Sequence, residues 1–310
     1  MFQNSGPPSA LNRLLRLVII MLAAAGAVAI ALNSKAFGAV TPPPAASARP
    51  IGIGYEHTIA SAALGEARVV NVVLPPGYAR EPEKRYPTLY VIDGGLEQDL
   101  LHVTGVLHLG ALWGRSSEAI VVGIETKDRR RELTARTFDP ELLQRYPSAG
   151  ASGSFRNFIR DEVKPLVARL YRTNGRDAVI GESLAGLFVL ETYLEKPSLF
   201  GAYASIDPSL WWDRERLSSS AAAKLGAGQS GRPFYLAVAR EQTETPAAMR
   251  RVAEAIGARG TPWCFALRPD LLHSTIYQQL TPQALQFLLP PATPPEAQFG
   301  FDVRCEPSSG

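Results

Sequence analysis

Ser183 lies in Gly181-Glu182-Ser183-Leu184-Ala185-Gly186, between the β-branched stretch that ends at Ile180 and an apolar, helix-periodic stretch, Leu184–Leu194. A serine at a strand-to-helix turn, with small residues on both sides, is the pattern that holds a nucleophile on a sharp bend. The plainer alternative is an N-cap serine at an ordinary turn. A serine hydroxyl is a weak nucleophile and needs a neighbouring base. The four histidines are His57, His102, His108 and His273. Only His273 follows Ser183, as the chain order nucleophile, acid, histidine requires. His102 and His108 are six residues apart, a spacing that does not put them on one helix face for a metal. They read as helix-surface or pocket-rim residues, and His57 as structural.

The acid that would orient His273 is expected at the carboxyl end of the strand Phe234–Ala239, where the chain reads Arg240-Glu241-Gln242-Thr243-Glu244. Glu241 is assigned that place. Glu244 is the runner-up, with capping of the helix that follows as its plainer reading; an absent acid, replaced by water or a backbone carbonyl, stays open. Asp270 is three residues before the histidine, a poor position from which to grip its ring. An oxyanion would meet the Leu184 amide and one amide from Asp93-Gly94-Gly95-Leu96, with Gly95 the chosen donor. A simple turn is the plainer alternative for the paired glycines.

These residues need a scaffold that gathers them. Ala67–Leu74, Thr88–Ile92, Ala119–Ile124, Ala178–Ile180, Phe234–Ala239 and Trp263–Leu267 read as strands. Helical stretches fall near 97–112, 153–171, 184–195, 245–258 and 281–289. Strands that are continuously apolar imply a sheet buried on both faces, hence an α/β fold with a mostly parallel central sheet and helices on both faces. Reactive sites in such sheets sit at the carboxyl ends of the strands, and every motif above falls at such an end.

Hydrophobic residues make up 46% of the 310, charged residues 20%, and the net charge is +3. That supports a substantial core and excludes a reading as a nucleic-acid binder. Arg13 and Arg16 precede the uncharged run Leu17–Leu32, and Ala36, Gly38 and Ala39 follow. This reads as an export signal over residues 1–39. The 16-residue run is shorter than the roughly 20 residues that span a bilayer comfortably, which favours cleavage; an uncleaved inner-membrane anchor is the alternative. Either way the domain is expected in the periplasm or secreted, touching the inner membrane only through this segment. Residues 40–50 read as a linker, 51–290 as the domain and 291–310 as a Pro-rich tail. Cys264 and Cys305 either pair in an oxidising compartment or remain independent thiols.

The segment Gly181–Asp213 closely resembles the esterase-D-like α/β hydrolases, which include periplasmic trilactone esterases that open enterobactin- and salmochelin-type siderophores. Asp207-Pro208-Ser209-Leu210-Trp211-Trp212-Asp213 matches that family's S-P-S-L-W-W-D, with Asp207 in place of the first serine. Leu74-Pro75-Pro76-Gly77-Tyr78, the stretch Tyr86–Gly94, Arg130-Arg131-Glu132-Leu133-Thr134 and His273-Ser274-Thr275 match as well. The commoner elbow has histidine where this chain has Glu182. The resemblance spans about residues 55–289 and implies an α/β-hydrolase fold. It also implies ester hydrolysis through an acyl-enzyme on Ser183, with no metal or organic cofactor. The implied substrate is a small-molecule ester, either a ferric siderophore trilactone or a simpler acyl-sugar, feruloyl or short acyl ester. A non-catalytic binding module on the same scaffold is the remaining alternative. Arg130 and Arg131 would face an anionic substrate, and Trp211 and Trp212 would line its pocket, with a solvated loop and core packing as the plainer readings.

Overall fold

The computed structural model describes residues 51–226, 231–240, 246–258 and 262–294, together with 296, 298, 303 and 305. The expected signal and linker lie outside these residues. Eight strands form one sheet: β1 (Tyr55–Ser61), β2 (Glu66–Val73), β3 (Tyr86–Ile92), β4 (Ile120–Ile124), β5 (Thr173–Glu182), β6 (Ala202–Ile206), β7 (Phe234–Ala239) and β8 (Trp263–Arg268). Their spatial order is β1-β2-β4-β3-β5-β6-β7-β8. β1 pairs antiparallel with β2, and β2 antiparallel with β4. From β4 to β8 every pairing is parallel. This is the mostly parallel α/β architecture that the apolar strands implied.

The helices that matter for the site are α1 (Leu100–Leu112), α2 (Arg129–Leu133), α3 (Ser152–Phe158), α4 (Lys164–Leu170), α5 (Leu184–Glu195), α6 (Pro246–Gly257) and α7 (His273–Leu288). All seven residues of β3 are buried, and successive side chains enter opposite cores. Tyr90 and Ile92 join Phe155, Phe158, Phe188 and Val252, from α3, α5 and α6, on one face. Leu89 and Val91 join Leu100, Val103, Ile276 and Leu280, from α1 and α7, on the other. Each such aliphatic side chain withdrawn from water contributes roughly 1.5–3 kcal/mol.

Two strands escaped the sequence reading, β1 and β6. The segment Ala-Tyr-Ala-Ser-Ile of β6 is short and mostly small, with one β-branched residue, so it carries little strand signal even though all five residues are buried. The last helix starts at His273, well before the expected 281, and runs through Pro282. Among the described residues no helix is long and apolar enough to cross a membrane.

Cys264, buried in β8, is disulfide-bonded to Cys305, 41 residues further along. Of the two readings left open for the cysteines, the structure takes the pairing. A loop of that length closed by a disulfide withdraws about 4 kcal/mol of chain entropy from the unfolded state.

Candidate active site

β3, β5 and β6 each end in a sharp corner. Asp93, Ser183 and Asp207 occupy these corners with φ of 60°, 58° and 41°. Such conformations are strained for non-glycine residues, by about 1–3 kcal/mol each, so the surroundings must impose them. At Ser183 they do so through three backbone bonds. Its N–H donates to Ile206 O at 3.0 Å, and its carbonyl accepts from Leu187 N at 2.9 Å and Ser209 N at 3.0 Å. The turn is also tight enough to exclude side chains on either side of the serine. A Cβ on Gly181 would stand 2.7 Å from the Ala185 carbonyl carbon, and one on Gly186 2.8 Å from Ile206 O. The alanine at 185 is accommodated because the close approaches fall on the glycines at 181 and 186.

His273 opens α7 and reaches this corner. Its Nε2 lies 3.1 Å from Ser183 Oγ and its Nδ1 2.5 Å from Asp207 Oδ2. Asp207 is fully buried, and its other oxygen accepts from the Ala239 amide at 2.9 Å. Ser183, His273 and Asp207 therefore form one hydrogen-bonded line across the carboxyl ends of β5 and β6, an arrangement able to act as nucleophile, base and acid, with the histidine side chain 42% exposed. Ser209 Oγ, 3.3 Å from Ser183 Oγ, is a further neighbour that motif reading did not single out.

The acid corrects the sequence reading. Glu241 lies outside the described residues, and the place expected for it beside His273 is taken by Asp207. The reason is topological. Because the sequence of β6 does not announce a strand, the first recognisable strand end after Ser183 is that of β7, one strand too far. The usable signal was the replacement of the motif's first serine by aspartate.

Leu184 is the first residue of α5, where an amide has no intrahelical acceptor and points out of the positive end of the helix. That is the geometry of an oxyanion donor. Gly95 does not match its assignment, since its N–H donates to Gln98 Oε1 at 2.9 Å. Gln98 is itself fixed by its amide donating to Thr126 O at 3.0 Å. Asp93, beside this turn, accepts from Thr126 Oγ1 and from Arg129 Nε, the latter at 2.8 Å.

The four proposed substrate contacts divide into two pairs. The Arg130 guanidinium lies over the Tyr146 ring at 4.6 Å and near the Trp211 ring at 5.9 Å, and Trp211 is 45% exposed. Arg131 instead bonds Glu66 and Glu132, and Trp212 is buried against Tyr146, ring centroids 5.9 Å apart. Arg131 and Trp212 are therefore framework residues, the guanidinium being held on two carboxylates and the indole being buried among aromatic neighbours. A cavity of about 880 Å³ opens elsewhere, lined by Thr88, Thr173 and Asp177 at the amino ends of β3 and β5 and containing none of the residues in the line.

Residues 61–262 match the Esterase family, described as "Putative esterase". The chain belongs to that family. Among its relatives, the ferri-bacillibactin esterase BesA of Bacillus subtilis is 30% identical over 169 residues, 48% of this chain and 56% of that protein. The siderophore triacetylfusarinine C esterase of Aspergillus fumigatus is 26% identical over 163 residues, 48% of this chain and 53% of that protein. The match thus spans about half the length of these curated relatives. The crystal structure of an IroE-like serine hydrolase from Shewanella oneidensis superposes with a TM-score of 0.68 at 22% identity, covering 75% of this chain and 79% of that one, and shares the fold. In this esterase-family chain the matched region contains Ser183 and Asp207, while His273 lies beyond its last residue.

Proposed function

We propose that the protein hydrolyses carboxylic esters through an acyl-enzyme on Ser183. The observation that carries this reading is the continuous line Ser183–His273–Asp207, at 3.1 and 2.5 Å. Ser183 Oγ attacks the ester carbonyl while His273 Nε2 takes its proton. Asp207 holds the ring by Nδ1 and balances the imidazolium that forms. The Leu184 amide receives the developing oxyanion. His273 then returns the proton to the leaving alcohol, and water releases the acid by the reverse steps.

The substrate we favour is a ferric siderophore of the enterobactin trilactone type. Two relatives carry siderophore esterase names, and Arg130 offers a cation between two aromatic rings, one of them half exposed. A flat, anionic, aromatic ligand would use both features. The Cys264–Cys305 bond supports residence in an oxidising compartment, the periplasm or outside the cell.

The test is turnover of a p-nitrophenyl acyl ester, followed by product analysis with ferric enterobactin beside a panel of acyl sugars and feruloyl esters. Turnover lost in Ser183→Ala, with linear fragments released from the trilactone, is the expected result. A folded protein without turnover would overturn the enzyme reading. Cleavage of sugar or feruloyl esters alone would replace the siderophore by a general carboxylesterase substrate.

A further inference from the structure

Ser209 lies two residues beyond Asp207, in the loop that leaves β6. The residue is 3% exposed, and its Oγ stands 3.3 Å from Ser183 Oγ. The loop reaches this position without help from that hydroxyl. The Ser209 amide donates to Ser183 O at 3.0 Å, and its carbonyl accepts from Trp212 N at 3.1 Å. Leu210 and Trp212, which follow, are both buried in the core. On the other side Gly186 packs so close that a Cβ there would stand 3.3 Å from Pro208 Cα. Backbone bonds and packing thus carry the hydroxyl to the nucleophile, and what the hydroxyl does there is a separate question.

The directions of the protons follow from the groups present. One oxygen of the Asp207 carboxylate accepts from the Ala239 amide, and the other lies 2.5 Å from His273 Nδ1. A carboxylate only accepts, so Nδ1 carries the ring's proton and Nε2 its lone pair. Nε2 therefore accepts from Ser183 Oγ, at 3.1 Å. With its own proton committed to the ring, Ser183 Oγ can only accept from Ser209. Among the described residues this is the one hydrogen bond of the Ser209 hydroxyl, and a buried hydroxyl without a partner is costly.

We propose that Ser209 is a further catalytic group, a hydrogen-bond donor to the nucleophilic oxygen. Ser183 Oγ has four tetrahedral directions. Its Cβ takes one, the proton on its way to His273 a second, and the Ser209 donor a third. The remaining lone pair is the one free to attack the ester carbonyl, so the donor fixes its aim. As the Oγ–H bond breaks and the proton moves to Nε2, negative charge gathers on Oγ before the Oγ–C bond is complete. The Ser209 bond strengthens at that moment, because a bond to a charged acceptor is about twice as strong as a neutral one. Only the part gained in the transition state accelerates the reaction. Ser209 keeps its own proton throughout. When water later cleaves the acyl-enzyme, the electron pair of the C–Oγ bond returns to the same oxygen, and the same donor receives it.

This inference rests on Ser183 acting as the nucleophile, and the experiment separates the two. Steady-state turnover of a p-nitrophenyl ester and the rate of inactivation by a fluorophosphonate are compared in the full chain, Ser209→Ala and Ser209→Thr. In Ser209→Ala both kcat and the inactivation rate should fall about 3- to 10-fold, the net worth of one hydrogen bond, with KM unchanged. Ser209→Thr, which keeps a hydroxyl, should restore both. A Ser209→Ala chain with the parent's kcat and inactivation rate would overturn the proposal. So would a Ser209→Thr chain that melts with the parent yet loses as much as the alanine. Neutron diffraction from deuterated crystals of the full chain gives a readout independent of turnover. A deuterium on Ser209 Oγ directed at Ser183 Oγ supports the proposal, and one turned to another acceptor overturns it. No turnover in the parent chain would count against ester hydrolysis itself, and the deuterium would still decide the hydrogen bond.

Discussion

Asp207 has both carboxylate oxygens engaged, one by the Ala239 amide and one by His273, and neither reaches solvent. Removing its charge while keeping its shape should leave the imidazole held in the wrong tautomer. Asp207→Asn is expected to lower kcat by about 10⁴, the size of the comparable change in a serine protease. Glu241→Gln should cost less than tenfold. Steady-state kinetics on a p-nitrophenyl ester checks both, and a reversed ranking would return the acid role to Glu241. Ser183 and His273 were legible from residue type and order, because chemistry restricts who can be nucleophile and who can be base. The acid was not, because any strand end can supply a carboxylate and only the three-dimensional order of strands selects one. Gly95 misled for a related reason: paired glycines announce a turn, but not that a glutamine three residues on would take the amide.

α2 is only five residues long and carries Arg129 and Arg130 to the site, so something else must hold it. The fully buried Arg68 of β2 does so, pairing Glu132 at 2.7 Å through both of its terminal nitrogens and flanked by the rings of Phe155 and Phe158. Arg68 also donates to Glu125 O at 2.7 Å, tying the helix to the end of β4. Glu132→Ala leaves a guanidinium buried without its main partner, which should destabilise the fold by about 3–5 kcal/mol. Urea unfolding measures it; a change below about 1 kcal/mol would mean that the pair does not anchor the helix. At this scale the long, apolar, β-branched strands announced themselves, while β6 did not. Ala202 and Ala204 are buried in the core that α1 and α7 share, while Ser205 is covered by α5 and donates to the Gly186 carbonyl, a fact of packing that five residues of sequence do not carry.

At the scale of the whole domain, Glu182 and Asp99 link folding to pH. An unfolded glutamate releases its proton near 4.5, whereas folded Glu182 keeps its proton to about 7. The folded state therefore binds more protons between these values. The stability this provides is complete below about 4.5 and is lost as pH rises through about 7. Asp99, moved from 3.8 to about 6, acts in the same direction. For Glu182 the effect is on the order of 3 kcal/mol, or roughly 5–10 °C in Tm for a domain of this size. Calorimetric Tm should fall across that range in the parent chain and fall less steeply in Glu182→Gln; parallel curves would exclude the linkage. The strained corner at the nucleophile has a consequence of a different kind. A φ of 58° is free of penalty only for glycine, so Ser183→Gly should melt higher than the parent, by a few degrees, while hydrolysing nothing. A lower Tm for that variant would show that the serine side chain contributes more through its contacts than its backbone loses. If the expected order holds, a library of random variants enriched only for heat resistance would discard its nucleophile, and chemistry would survive in it only where turnover was selected alongside.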